Sequence, residues 1–188
     1  EVAALREELS QAGYDRVVLC GMGGSSLAPE VICATAGMPI DVLDSSDPDV
    51  VRAALTDLDR TVVVVSSKSG STVETDSQRR AFEQAFRDAG LDPTARMVIV
   101  TDPGSPLDND ARAAGFRVVN ADPQVGGRYS ALTAFGLVPS ALAGADVETL
   151  LDDAEAVSDL LAADDDATPA LRLAAAMAGT QPLRDKLV

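Results

Sequence analysis

Histidine and tryptophan are absent from the 188 residues, and cysteine occurs only at Cys20 and Cys33. Without histidine, and with no Cys-x-x-Cys pair, the chain lacks the ligand set of an ordinary zinc site, and no metal is expected. Two cysteines make no disulfide framework, which fits a reducing, cytoplasmic setting. No apolar run approaches the ~20 residues that a membrane-spanning helix needs. The opening Glu-Val-Ala-Ala-Leu-Arg carries no signal-peptide pattern and no initiator Met, which reads as a processed or cut end. Basic residues are scarce: 15 Lys and Arg face 30 Asp and Glu, for a formal charge of −15. Such a surface repels the backbone of nucleic acids and anionic membranes, so neither is expected as a partner. Any anionic ligand would need local backbone donors and a few well-placed cations. Aromatics are only 3% of the chain, so Ala, Val and Leu must fill the core. The length allows one well-buried core and is short for two full domains.

Apolar runs alternate with helix-like stretches. The runs are Arg16 to Cys20, Ile40 to Leu43, Val62 to Val65, Met97 to Val100 and Phe116 to Val119. Short, continuous runs of this kind suit strands buried on both faces of a parallel sheet. Asp47-Pro48 and Ser105-Pro106 each place a capping residue before a first-turn proline. The stretch from Ser71 to about Ala89 carries Val73, Phe82, Ala85 and Phe86 among many charges and reads as a one-sided helix. Five strands with helical crossovers predict a doubly wound α/β sheet whose strand order the sequence leaves open. After about Ser130 no strand pattern returns. Residues 146–165 read as an acidic helix ending in the solvated Asp164-Asp165-Asp166, and Thr168-Pro169 opens another.

Three loops offer chemistry. Gly21-Met22-Gly23-Gly24-Ser25-Ser26 follows the first strand. Its glycines let backbone N–H groups approach an anion. The spacing is not a dinucleotide fingerprint, because the third glycine would fall at Ser26. A plain strand–helix turn needs one glycine, and here three precede two hydroxyls. Ser66-Ser67-Lys68-Ser69-Gly70-Ser71-Thr72 follows the third strand. Its hydroxyls, N–H groups and the start of the next helix can converge on one anion. No Gly-x4-Gly-Lys spacing exists, so it is not a Walker A loop. Ser71-x-x-Glu74 reads as a capping box, which makes Glu74 structural in preference to a general base. Ser67 and Lys68 are adjacent on an extended chain and point apart, so they make a poor nucleophilic pair. Val125-Gly126-Gly127-Arg128-Tyr129-Ser130 follows the fifth strand. There Arg128 is either held against a ligand by close backbone or is a surface arginine in a turn.

Strands leading into such loops resemble the sugar isomerase (SIS) fold, a three-layer sandwich with a five-stranded, mainly parallel sheet flanked by helices. The strings Gly-Met-Gly-Gly-Ser-Ser-Leu-Ala-Pro, Ser-Ser-Lys-Ser-Gly-Ser-Thr-x-Glu-Thr and Val-Gly-Gly-Arg-Tyr-Ser-Ala-Leu-Thr-Ala-Phe-Gly resemble the glucose-6-phosphate isomerase family, in that family's order and over nearly the whole chain. The resemblance implies interconversion of glucose 6-phosphate and fructose 6-phosphate through an enediolate, with no organic cofactor and no metal, in a homo-oligomeric parent. It maps the phosphate cradle onto Ser67, Lys68 (chiefly its backbone N–H), Ser69 and Thr72. It maps sugar-side contacts onto Gly24 and Ser25, and the cation that stabilises the enediolate onto Arg128. Many members carry an aromatic residue where this chain has Gly70. The variant is similar to a bacterial branch that includes isomerases fused behind a transaldolase. Similar members place the base glutamate shortly after a segment like Arg184-Asp185-Lys186-Leu187, and a ring-opening histidine and a late lysine further on. Residues 1–188 are therefore expected to be a single SIS domain cut before a second one, and inactive alone. Two alternatives remain: a phosphosugar-sensing SIS regulatory module, and a SIS isomerase for another sugar phosphate.

Overall fold

The computed structural model describes residues 2–179, so Arg184-Asp185-Lys186-Leu187 and the base expected after them lie outside the described residues. The chain divides into two units, Glu1–Val147 and Glu148–Val188. In the first, α1 (Val2–Gln11), β1 (Arg16–Gly21), α2 (Leu27–Ala36), β2 (Asp41–Leu43), α3 (Pro48–Ala54), β3 (Thr61–Ser66), α4 (Val73–Asp88), β4 (Met97–Thr101), α5 (Pro106–Ala113), β5 (Arg117–Asn120) and α6 (Ala134–Ala143) follow one another. The five strands pair in the order β2-β1-β3-β4-β5, all parallel.

The strand sequences explain the layers. Side chains alternate across a sheet, and the central strands are apolar at both parities. Val17, Leu19, Val62, Val64, Val98 and Val100 pack under α1 and α6 through Leu5, Leu9, Phe135, Val138 and Leu142. Val18, Cys20, Val63, Val65, Met97 and Ile99 meet Phe82 and Phe86 of α4 and Leu107 and Ala111 of α5 on the opposite face. The rings of Phe82 and Phe86 lie 6.1 Å apart at a tilt of 39°, a favourable offset for two aromatics. The result is the expected three-layer α/β sandwich. Burial on both faces holds for β1, β3 and β4 but not for β2 and β5, which are half-exposed. They are the edge strands, covered on fewer sides. Cys20 and Cys33 are buried free thiols, and burial pushes both above the ordinary thiol range.

Helix starts follow the proline signals. Asp47 accepts hydrogen bonds from the N–H groups of Asp49 and Val50 ahead of Pro48, and Ser105 accepts one from Asp108 N–H ahead of Pro106. The capping box does not form. Thr72, not Ser71, is the N-cap of α4, its side chain makes no cap bond, and Ser71 Oγ donates to Ser69 Oγ at 3.0 Å. Glu74 is exposed in the first turn, and its side chain makes no hydrogen bond among the described residues. Val73 is 74% exposed, and the buried residues of α4 are Thr75, Gln78, Phe82, Glu83 and Phe86 instead. This stripe keeps the 3–4 residue period of a buried helix face but begins with two polar residues, which apolar periodicity passes over.

The second unit holds α7 (Val147–Ala162), apart from its first residue, and α8 (Pro169–Ala178). Asp164, Asp165 and Asp166 are exposed just beyond α7, and Asp165 Oδ1 accepts a hydrogen bond from Ala167 N–H at 2.7 Å. Among the described residues no helix is long and apolar enough to cross a membrane.

Candidate functional site

Strand order reverses direction between β1 and β3, because β2 lies to one side of β1 while β3, β4 and β5 follow on the other. In open parallel sheets, a crevice opens at such a point beyond the carboxyl ends of the strands. A cleft of about 500 Å³ lies here, lined by Met22, Gly24, Ser25, Lys68, Ser69, Thr72, Asp102, Gly127 and Arg128. Of the seven candidate residues from the sequence, six therefore face one cleft: Gly24, Ser25, Lys68, Ser69, Thr72 and Arg128. The seventh, Ser67, is buried beneath it. Its N–H donates to Val100 O at 3.0 Å, and its carbonyl accepts from Thr101 Oγ1 at 2.6 Å. Its hydroxyl reaches Thr72 Oγ1 at 3.4 Å. Ser67 thus pins the root of the loop to β4.

The loop from Lys68 to Thr72 leaves its donors open. The N–H groups of Lys68, Ser69, Gly70 and Thr72 take no backbone partner among the described residues. The first turn of α4 begins immediately behind them without a side-chain cap. A helix start carries partial positive charge and orphan N–H groups, so this corner suits an anion. Gly70 has φ +67°, and a Cβ there would stand 2.9 Å from Leu107 Cβ, Leu107 N and Ser105 Oγ. The conformation and the lack of space both demand glycine. An aromatic side chain at this position would require a different path for residues 105–107.

Two cations enter the cleft differently. Arg128 sits in a short 3-10 turn, Gly127–Tyr129, is exposed, and makes no hydrogen bond or ion pair among the described residues. Lys68 is tied. Its Nζ lies 2.7 Å from Asp102 Oδ2 and 3.3 Å from Pro123 O. Asp102 is a site residue that the sequence reading missed. The available signal was its place directly after β4, at the carboxyl edge of the sheet. Its turn is held firmly: Asp108 accepts from Gly104 N–H at 2.8 Å, from Arg112 Nε at 2.7 Å and from Asn120 Nδ2 at 3.2 Å. The Gly104 N–H, with help from Asn120 and Arg112 and against the effect of burial, holds the Asp108 carboxyl below the usual carboxylate range.

The phosphoglucose isomerase family model matches residues 10–176. The chain belongs to the phosphoglucose isomerase family. It is 41% identical over 153 residues to a glucose-6-phosphate isomerase of a Geobacter species, covering 76% of this chain and 29% of that protein. A hypothetical protein from Thermus thermophilus superposes with a TM-score of 0.84 at 33% identity, over 94% of this chain and 44% of that one. A glucose-6-phosphate isomerase from Chlamydia trachomatis superposes with a TM-score of 0.72 at 30% identity, over 85% and 32%. The chain thus spans about 29% of the length of the Geobacter relative.

Proposed function

We propose that this chain is the phosphosugar-binding domain of a cytoplasmic, homo-oligomeric aldose–ketose isomerase that interconverts glucose 6-phosphate and fructose 6-phosphate. In this reading residues 1–188 form the first of two SIS domains. The observation that carries it is the convergence, at the point where strand order reverses, of a helix start without a side-chain cap, two hydroxyl-bearing loop residues and an arginine with no partner among the described residues, around one cleft. Ser69, Thr72 and the N–H groups of the loop hold the phosphate, with Ser67 fixing their root. Gly24 and Ser25 flank the sugar. Arg128 faces the oxygen on which negative charge builds as the proton moves between C2 and C1. Pre-placed charge of this kind is worth several kcal/mol to an enediolate and little to the neutral sugar carbonyl.

Proton transfer needs a base near C2 and an acid to open the ring. Asp102 is the carboxylate that lines the cleft, and Lys68 already holds it. In this reading the base and the ring-opening residue come from elsewhere in a longer chain. The test is a coupled assay of the complete protein with fructose 6-phosphate, run beside the isolated 188 residues. The complete protein turns the sugar over and the isolated chain does not. Equal, sustained turnover by both overturns the division of labour, and no turnover by the complete protein overturns the isomerase reading.

A further inference from the structure

We infer that Asp102, acting through the Lys68 ammonium, is a positioning residue for Arg128, and that the Lys68 side chain is a strut between three loops and not a ligand of the phosphate. This rests on the isomerase reading above. Lys68 leaves the anion loop after β3, and its tip bonds to Asp102, after β4, and to the carbonyl of Pro123, after β5. Pro123 lies five residues before Arg128 on the same connection. One side chain therefore joins the loop that receives the phosphate to the loop that carries the stabilising cation.

Charge supports the assignment. An ammonium 2.7 Å from a carboxylate presents little net charge to a phosphate dianion. A bare carboxylate at the same place would repel that dianion, so the pair suits the cleft only as a pair. Asp102 Oδ1 is buried and has no partner among the described residues. The charge of this carboxylate thus leans on Lys68, and loss of one partner leaves the other uncompensated. Asp102 is also the fixed end. Ser105 N–H donates to its carbonyl at 3.3 Å, and the Asp108–Gly104–Asn120 bonds hold the same turn. Lysine is the flexible end, a four-carbon stem anchored at its head.

The test is a double-mutant cycle in the complete protein: Asp102→Asn, Lys68→Met and both together, with kcat and KM measured for fructose 6-phosphate. Loosened placement of Arg128 lowers kcat by about 10- to 100-fold in each single variant. KM stays within about threefold of wild type in Asp102→Asn and in the double variant, because the loop N–H groups and hydroxyls still take the phosphate, whereas the bare carboxylate left by Lys68→Met repels the dianion and raises KM. The double variant is no worse than the poorer single one, since both remove the same bridge. The double variant also carries no uncompensated charge, so it remains informative if Asp102→Asn fails to fold. A KM raised about tenfold or more in the double variant with kcat preserved would make the ammonium a phosphate ligand and overturn the inference. Additive losses would do the same. Wild-type turnover in the same series separately checks the isomerase reading: without it that reading falls, whatever the variants do.

Discussion

A Cβ on Gly24 would stand 2.5 Å from the carbonyl oxygen of Gly127. The loop after β1 and the turn carrying Arg128 are therefore in backbone contact, with no room for a side chain between them. Gly24→Ala must displace one of the two. Misplacement of a catalytic group by ~1 Å can cost about 10²-fold in rate. We expect Gly24→Ala in the complete protein to lower kcat by about that factor. A variant with normal kcat would show that the turn at residues 127–129 need not hold its position.

The anion loop is tested by affinity. In the proposed site Ser69→Ala and Thr72→Ala each remove one hydroxyl from a charge-assisted bond to the phosphate worth roughly 1.5–3 kcal/mol. Fructose 6-phosphate then binds about 10- to 100-fold more weakly to each variant. Calorimetric titration of the complete protein reads this directly. Unchanged affinity in both would move the phosphate away from the start of α4.

Much of this site was legible in the sequence because chemistry and glycine sit together in short strings. Gly24, Ser25, Ser69, Thr72 and Arg128 lie within such strings, and parallel strands carry them to one edge of the sheet. The sandwich was legible for a similar reason: four β-branched residues in a row from Val62 to Val65 suit a strand buried on both faces. The misses have physical causes. Asp102 pairs with Lys68 across 34 positions, and no local pattern encodes that partnership. The reading of Ser71 as a cap followed the spacing to Glu74, but Ser71 is engaged by Ser69 and the helix starts one residue later. The exposed face of β5 and the polar start of the α4 stripe depend on edge position and packing, which a run of apolar letters does not contain.

Acid should weaken the turn that supports Asp102. The Asp108 carboxyl titrates lower in the folded chain than an ordinary aspartate, because Gly104, Asn120 and Arg112 favour its charged form. A depressed folded value means that the unfolded chain takes up the proton first. The stabilisation is thus fully present above the unfolded value, about pH 3.9, and is lost as pH falls through the folded one. Urea midpoints of wild type and Asp108→Asn should differ by a constant amount at pH 5 to 7 and converge below about pH 4. A gap that widens on acidification contradicts the assignment.

In the proposed site Arg128 faces developing negative charge at the sugar while the loop from Ser67 to Thr72 holds the phosphate. Steady-state kinetics of Arg128→Ala in the complete protein, with fructose 6-phosphate, tests it most directly. Loss of a pre-placed oxyanion partner costs about 10²–10³ in kcat. KM should change far less, and Arg128→Lys should restore only part of the rate, because lysine lacks the planar fork. If kcat of the alanine variant stays near that of wild type, Arg128 is a surface residue in a turn and the account is wrong.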